Sequence, residues 1–129
     1  MQLDEITAWS ADQDRGRDFQ LLDPVTGSAT GIVLRIAGPD SATAGRARLA
    51  LADRLSELAE HDGRVTAAQR EGARLAALAA CVLGWEITEG GDPVPFSQAG
   101  VLRLLRAAVW VREQVGGFAG DRGAFRGAV

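Results

Sequence analysis

The chain reads as an α+β domain, mainly α-helical, with a small N-terminal β-hairpin followed by three to four packed amphipathic helices. Three observations give that class. A turn motif, Asp23-Pro24-Val25-Thr26-Gly27, separates two short apolar runs near the front. Apolar residues then recur at helical spacing in three later segments. Each of those segments opens on a residue that can cap a helix: Asp40 or Ser41, then Thr66, then Ser97.

Taken in order, the stretch to Asp18 is polar and mixed, broken only by Trp9, and reads as partly ordered. Phe19-Gln20-Leu21-Leu22 reads as a strand. Proline presets one angle of the turn that follows, and Gly27 accepts positive φ. Ile32-Val33-Leu34-Arg35-Ile36 is the returning strand, rich in β-branched residues. Gly38-Pro39-Asp40-Ser41 ends it, because proline cannot continue a ladder, and opens a helix running to Glu60. Leu51, Leu55 and Leu58 line one face of that helix, with Ala44, Ala47 and Ala59 nearby. His61-Asp62-Gly63 stops it.

Thr66 followed by Gln69 is a capping box. The second helix is read to Leu83, with Leu75, Leu78, Ala79 and Val82 as its stripe, and Gly84 closing it before Trp85. Residues 89–95, with their glycines and prolines, form a loop. Phe96-Ser97 opens the third helix, whose stripe is Val101, Leu104, Leu105 and Ala108. Trp110, Val111, Val115 and Phe118 continue a helical pattern with a shifted phase, after a kink near Ala107. Gly116-Gly117 is expected to end it. Residues 1–18 are thus a polar segment, 19–118 a single globular domain, and 119–129 a glycine-rich flexible tail. One shared core is expected from Leu51, Leu55, Leu58, Leu75, Leu78, Val82, Leu104 and Leu105.

A chain of 129 residues with 47% apolar content can build one core. Net charge is −3 and every basic residue is arginine. The arginines alternate with acids, which argues for compositional bias rather than a nucleic-acid surface. No stretch approaches the roughly 18 apolar residues of a membrane span. The acidic start carries no apolar signal region, and the lone Cys81 allows no internal disulfide. A reducing cytoplasm is the expected setting.

No catalytic, cofactor or metal site is expected. His61 is the only histidine, stands beside a helix-ending glycine and has nothing at metal-ligand spacing. Asp12 and Asp14 echo a calcium loop, but Arg17 stands where that loop needs glycine, and Gly16 offers no side-chain oxygen. The two carboxylates read as solvated charges of a polar terminus. The glycines of Gly27 to Gly31 form no phosphate cradle, since no lysine follows. What remains is apolar. Trp85 and Phe96 read as core. Trp110, Val111, Val115 and Phe118 form a candidate partner-binding face, with Arg112, Glu113 and Gln114 in water on the other side.

A wider pattern joins these pieces: the Asp-Pro-x-Thr-Gly turn, Gly38-Pro39-Asp40-Ser41 opening an alanine- and arginine-rich helix, Gly84-Trp85-Glu86, Pro93-x-Pro95-Phe96-Ser97, then Trp110-Val111-Arg112-Glu113-Gln114-Val115 with Phe118 and Asp121-Arg122. In this order, over Phe19 to Phe125, the chain resembles the tail assembly chaperones of long-tailed phages. It departs from them at Ala107-Ala108, where a proline-like break is expected. The resemblance implies a small helical, non-enzymatic protein that binds the tape-measure protein and the tail-tube protein in the host cytoplasm. It also implies absence from the mature virion. A longer frameshifted form and a homo-oligomer are compatible with it; nucleic acid and membrane are not expected partners. The competing readings are a structural head–tail connector or tail-completion protein, and, less well supported, a small hydrolase or transferase.

Overall fold

A computed structural model describes residues 1–126 of the chain. Its elements are α1 (Leu3–Gln13), β1 (Arg17–Leu22), β2 (Ala29–Ile36), α2 (Ala42–Asp62), α3 (Ala67–Ala80), β3 (Val82–Glu86), β4 (Thr88–Glu89), β5 (Asp92–Pro93), α4 (Gln98–Ala107) and α5 (Val109–Ala119). A short 3-10 helix, Arg122–Phe125, follows. The α+β, mainly helical class holds.

The hairpin forms where the turn chemistry puts it. Asp23 Oδ1 accepts the amides of Val25 and Thr26 at 2.8 and 3.0 Å, and Gly27 takes φ +73°. Phe19 pairs with Leu34 and Arg17 with Ile36, so β1 begins two residues before its expected start. A third strand joins them. β3 pairs antiparallel with β2, setting Trp85 beside Leu34 and Val82 beside Ile36, with a bulge between. This corrects the reading of α3 as running to Leu83. The helix ends at Ala80, and the β-branched Val82 and aromatic Trp85 fit a pleated strand better than a helix terminus.

Leu21, Leu34 and Ile36 point from one face of the sheet into a core shared with Leu75 and Ala79 of α3, Val101 and Leu105 of α4, and Val111 and Val115 of α5. Alternation explains the choice: Arg35, between Leu34 and Ile36, is exposed. Leu78 and Leu104 pack partly buried against this core. Leu51, Leu55 and Leu58 do not belong to it; they are half-buried. The reason is layering. α2 buries only Ala44 and Ala47, against Ala77 and Cys81, so it packs chiefly on α3 rather than on the sheet.

Both chain ends are more structured than the composition suggests. Residues 3–13 form a helix, and its last residue, Gln13, is wholly buried. Polar bonds rather than apolar packing hold it. Gln13 Oε1 accepts the Asp40 amide at 2.7 Å, Ser10 donates to the Asp40 carbonyl at 2.6 Å, and the Trp9 indole donates to the Phe125 carbonyl at 3.0 Å. At the other end, Phe125 has no exposed surface and packs on Phe118 with ring centroids 5.1 Å apart. The expectation of a loose tail therefore fails for residues 119–126; its last part, 127–129, lies outside the described residues.

Candidate functional site

The stripe Trp110–Val111–Val115–Phe118 is an inner face rather than an outer one. Val111 and Val115 are buried. Phe118 lies between Phe19, at 4.9 Å, and Phe125, and Trp110 packs partly buried against the same core. The shifted phase has a plain cause. Ala108 is extended, with φ −158° and ψ 149°, so α4 and α5 are separate helices. The break needs no proline. α5 then restarts its stripe toward the sheet and runs through Gly116-Gly117 to Ala119, held by the burial of Val115.

The residues expected in water also serve the fold. Gln114 pairs its amide with the Leu22 backbone, accepting the N–H at 3.0 Å and donating to the carbonyl at 2.9 Å. This adds a side-chain rung to the free edge of β1. Arg112 donates to the Leu105 carbonyl at 3.2 Å, near the C-terminus of α4.

The carboxylates of the first segment are framework as well. Asp14 accepts the amides of Ala42 and Thr43 at 3.1 and 3.0 Å, while Ser41 Oγ accepts that of Ala44. Three of the four orphan donors at the start of α2 are thereby satisfied, two of them by a residue distant in sequence. Partial burial works to raise the Asp14 pKa, but the bonds from Thr43 and Ala42 outweigh it and hold it below the ordinary value. Asp12 pairs with Arg17 at 2.6 Å. Asp40 accepts a two-pronged bond from Arg122, at 2.8 and 2.9 Å, which holds its carboxyl below the usual carboxylate range.

Cys81 is buried beside Ala44 and Ala47, and burial pushes its thiol pKa up, away from a reactive thiolate. His61 is exposed next to the left-handed Gly63 that closes α2. Among the described residues, no cluster of three or more His, Cys, Asp or Glu could hold a metal. No described helix is long and apolar enough to cross a membrane.

Among the described residues, two concave regions stand out. One, of about 570 Å³, is lined by Glu5, Ala8, Trp9 and Asp12 of α1 and by Arg122, Gly123 and Arg126 from the 3-10 helix and the residue after it. The second, of about 440 Å³, is an open cleft between α3 and α5. Leu75, Leu78 and Val109 are its apolar members, and Glu71, Arg74, Arg112 and Glu113 surround them. Arg112 reaches Glu71 at 3.6 Å across it. Sequence reading missed this cleft. The signal was Val109, now 56% exposed, the one large apolar residue in phase with Arg112, Glu113 and Gly116 on the polar side of α5.

Comparison with protein-family models, curated proteins and solved structures finds no match.

Proposed function

We propose that this chain is a tail assembly chaperone of a long-tailed phage. In this reading it works without covalent chemistry in the host cytoplasm, binds the tape-measure and tail-tube proteins while the tail is built, and is left out of the mature virion. The observation that carries the reading is the ordered series of motifs from Asp23-Pro24 to Asp121-Arg122. The α3–α5 cleft supports it. Long apolar helical segments of a tape-measure protein aggregate unless covered. A shallow groove with Leu75, Leu78 and Val109 on its floor and both signs of charge on its rim suits an amphipathic helix laid into it.

Co-expression with tape-measure and tail-tube proteins tests the reading. The expected result is a soluble complex with the tape-measure protein. Val109→Asp should weaken that capture about tenfold or more, because a carboxylate then sits on the apolar floor. Its melting temperature should stay close to wild type, since Val109 is mostly exposed. Failure to bind either tail protein would overturn the chaperone reading. Presence of the chain in finished particles would turn it toward a head–tail connector.

A further inference from the structure

α2 is the longest element, 21 residues, yet it buries only two alanines. Opposite them, Ala42, Arg46, Leu49, Asp53, Glu57 and Glu60 recur at helical spacing, and all are exposed. Leu49, in the middle of this outer face, is 70% exposed. Arg46 stands one turn before it and Asp53 one turn after.

The charges of α2 are segregated. Residues 42–52 hold Arg46 and Arg48 and no acid; residues 53–62 hold Asp53, Glu57, Glu60 and Asp62 against the single Arg54. That order opposes the helix macrodipole, which favours acids at the start and bases at the end. Only at its N-terminus is this offset, by the Asp14 carboxylate on the Ala42 and Thr43 amides. Within the described residues α2 makes one internal arginine pair, Arg54–Glu57 at 3.5 Å, and no ion pair with α3. Asp53 and Glu60 are in no ion pair there. Arg46 donates to Thr43 Oγ1 at 3.3 Å and faces Asp14 from beyond ion-pair distance.

We propose that this face docks on the same face of a second copy of the chain, the two α2 helices running antiparallel about a two-fold axis near Leu49. The patch is self-complementary, as such an interface requires. An axis there sets Leu49 against Leu49 and Ala50 of the second copy. It also brings Arg46 of each copy to Asp53 of the other, twice over, with the acidic half of each helix beside the basic half of its mate. A parallel pairing would set Arg46 on Arg46. The proposal does not rest on the chaperone reading. A single helix face about 31 Å long is smaller than a standard interface, so the dimer is weak and concentration-dependent.

Sedimentation of the full chain over roughly 1 μM to 1 mM should show a monomer–dimer equilibrium. Arg46→Glu and Asp53→Arg should each raise the dimer Kd tenfold or more, because each turns two attractions into two repulsions. Mixing the two variants should restore association, and so should the double variant R46E/D53R. Thermal melting reports the fold throughout; Asp53→Arg carries the test if Arg46→Glu loosens the corner near Asp14. A chain that stays monomeric over the whole range overturns the proposal. So does a dimer that ignores both reversals, or two weakened variants that do not rescue one another.

Discussion

Phe125→Ala probes the point where the fold departs furthest from its composition. Phe125 lies in a glycine-rich stretch, four residues from the chain end, and a side chain on a loose tail would cost nothing to remove. In the structure its ring is fully buried against Phe118, which in turn packs at a tilt on Phe19 of β1. Truncation of a buried phenylalanine costs about 3–5 kcal/mol, combining lost transfer energy with an incompletely filled cavity. The upper half of that range is expected, since Phe125 belongs to the same buried cluster as Leu21, Leu34 and Ile36 of the sheet and Val115 of α5, which resists collapse. For a chain of this size each kcal/mol lowers Tm by about 3–5 °C, so the variant should melt about 12–25 °C below wild type. Trp9 gives a second readout. Its indole donates to the Phe125 carbonyl, so a displaced 3-10 helix frees α1 and exposes the Trp9 amide to hydrogen exchange. Calorimetry and exchange together decide the matter. A Tm within 2–3 °C of wild type, with α1 still protected, would refute the burial of Phe125 and the role of the 3-10 helix as the latch of α1.

Two further substitutions test particular contacts. Gly100 in α4 sits under Trp85: a Cβ there would approach the ring Cη2 to 2.6 Å, and that ring is pinned by its bond to the Val94 carbonyl and by the edge of Phe96. Helix propensity says Gly100→Ala stabilises by up to about 1 kcal/mol; the clash says it destabilises by about 1–3 kcal/mol, and urea melts read the sign. Asp40→Asn should lower stability at neutral pH by removing the charged partner of Arg122. The folded pKa of Asp40 is depressed, so this stabilisation is present above the unfolded value near 3.9 and is lost as pH falls through the lower folded value. Thermal melts of the two proteins should therefore converge below about pH 4; a gap that stays constant to pH 2 would remove the Asp40 charge from the argument.

The parts of this fold legible in the sequence are those set by local chemistry. Of the two candidates Asp40 and Ser41, Ser41 caps α2; Thr66 and Ser97 cap the helices they were expected to cap, and Thr66 with Gln69 closes a full capping box. Asp23 to Gly27 makes its turn. These features need only neighbours within four residues. What escaped reading depends on distant partners. Residues 3–14 look like a solvated terminus because their anchors, Asp40, Ala42, Thr43 and Phe125, lie far along the chain. β3 hides inside an apolar run that suits a helix equally well until β2 offers it an edge. Periodicity located the stripe of α5 but not its direction. An apolar stripe of the same spacing serves a core or a partner, and only the neighbouring surfaces decide which.

The same distinction bears on where binding can occur. Several residues of the motifs on which the proposed chaperone reading rests are used up holding the fold together. The Asp-Pro turn closes the hairpin, Asp40 joins α1 to Arg122, Trp85 is bonded to Val94, and Gln114 completes the edge of β1. Such residues specify a shape and offer little to a partner, because their polar groups already have bonds that a partner could only replace. Free surface is found between the motifs instead, on the outer face of α2 and beside Val109 in the cleft of α3 and α5. Those positions are read from their phase within a helix rather than from any motif. A partner that needs only an apolar helix face, laid in a groove rimmed by both signs of charge, does not require a fixed residue code. It requires that the frame hold α3 and α5 far enough apart to leave the half-buried Leu78 reachable beside Val109. Val109 and Leu49 are therefore the informative substitutions: both can be changed without touching a bond that holds the frame.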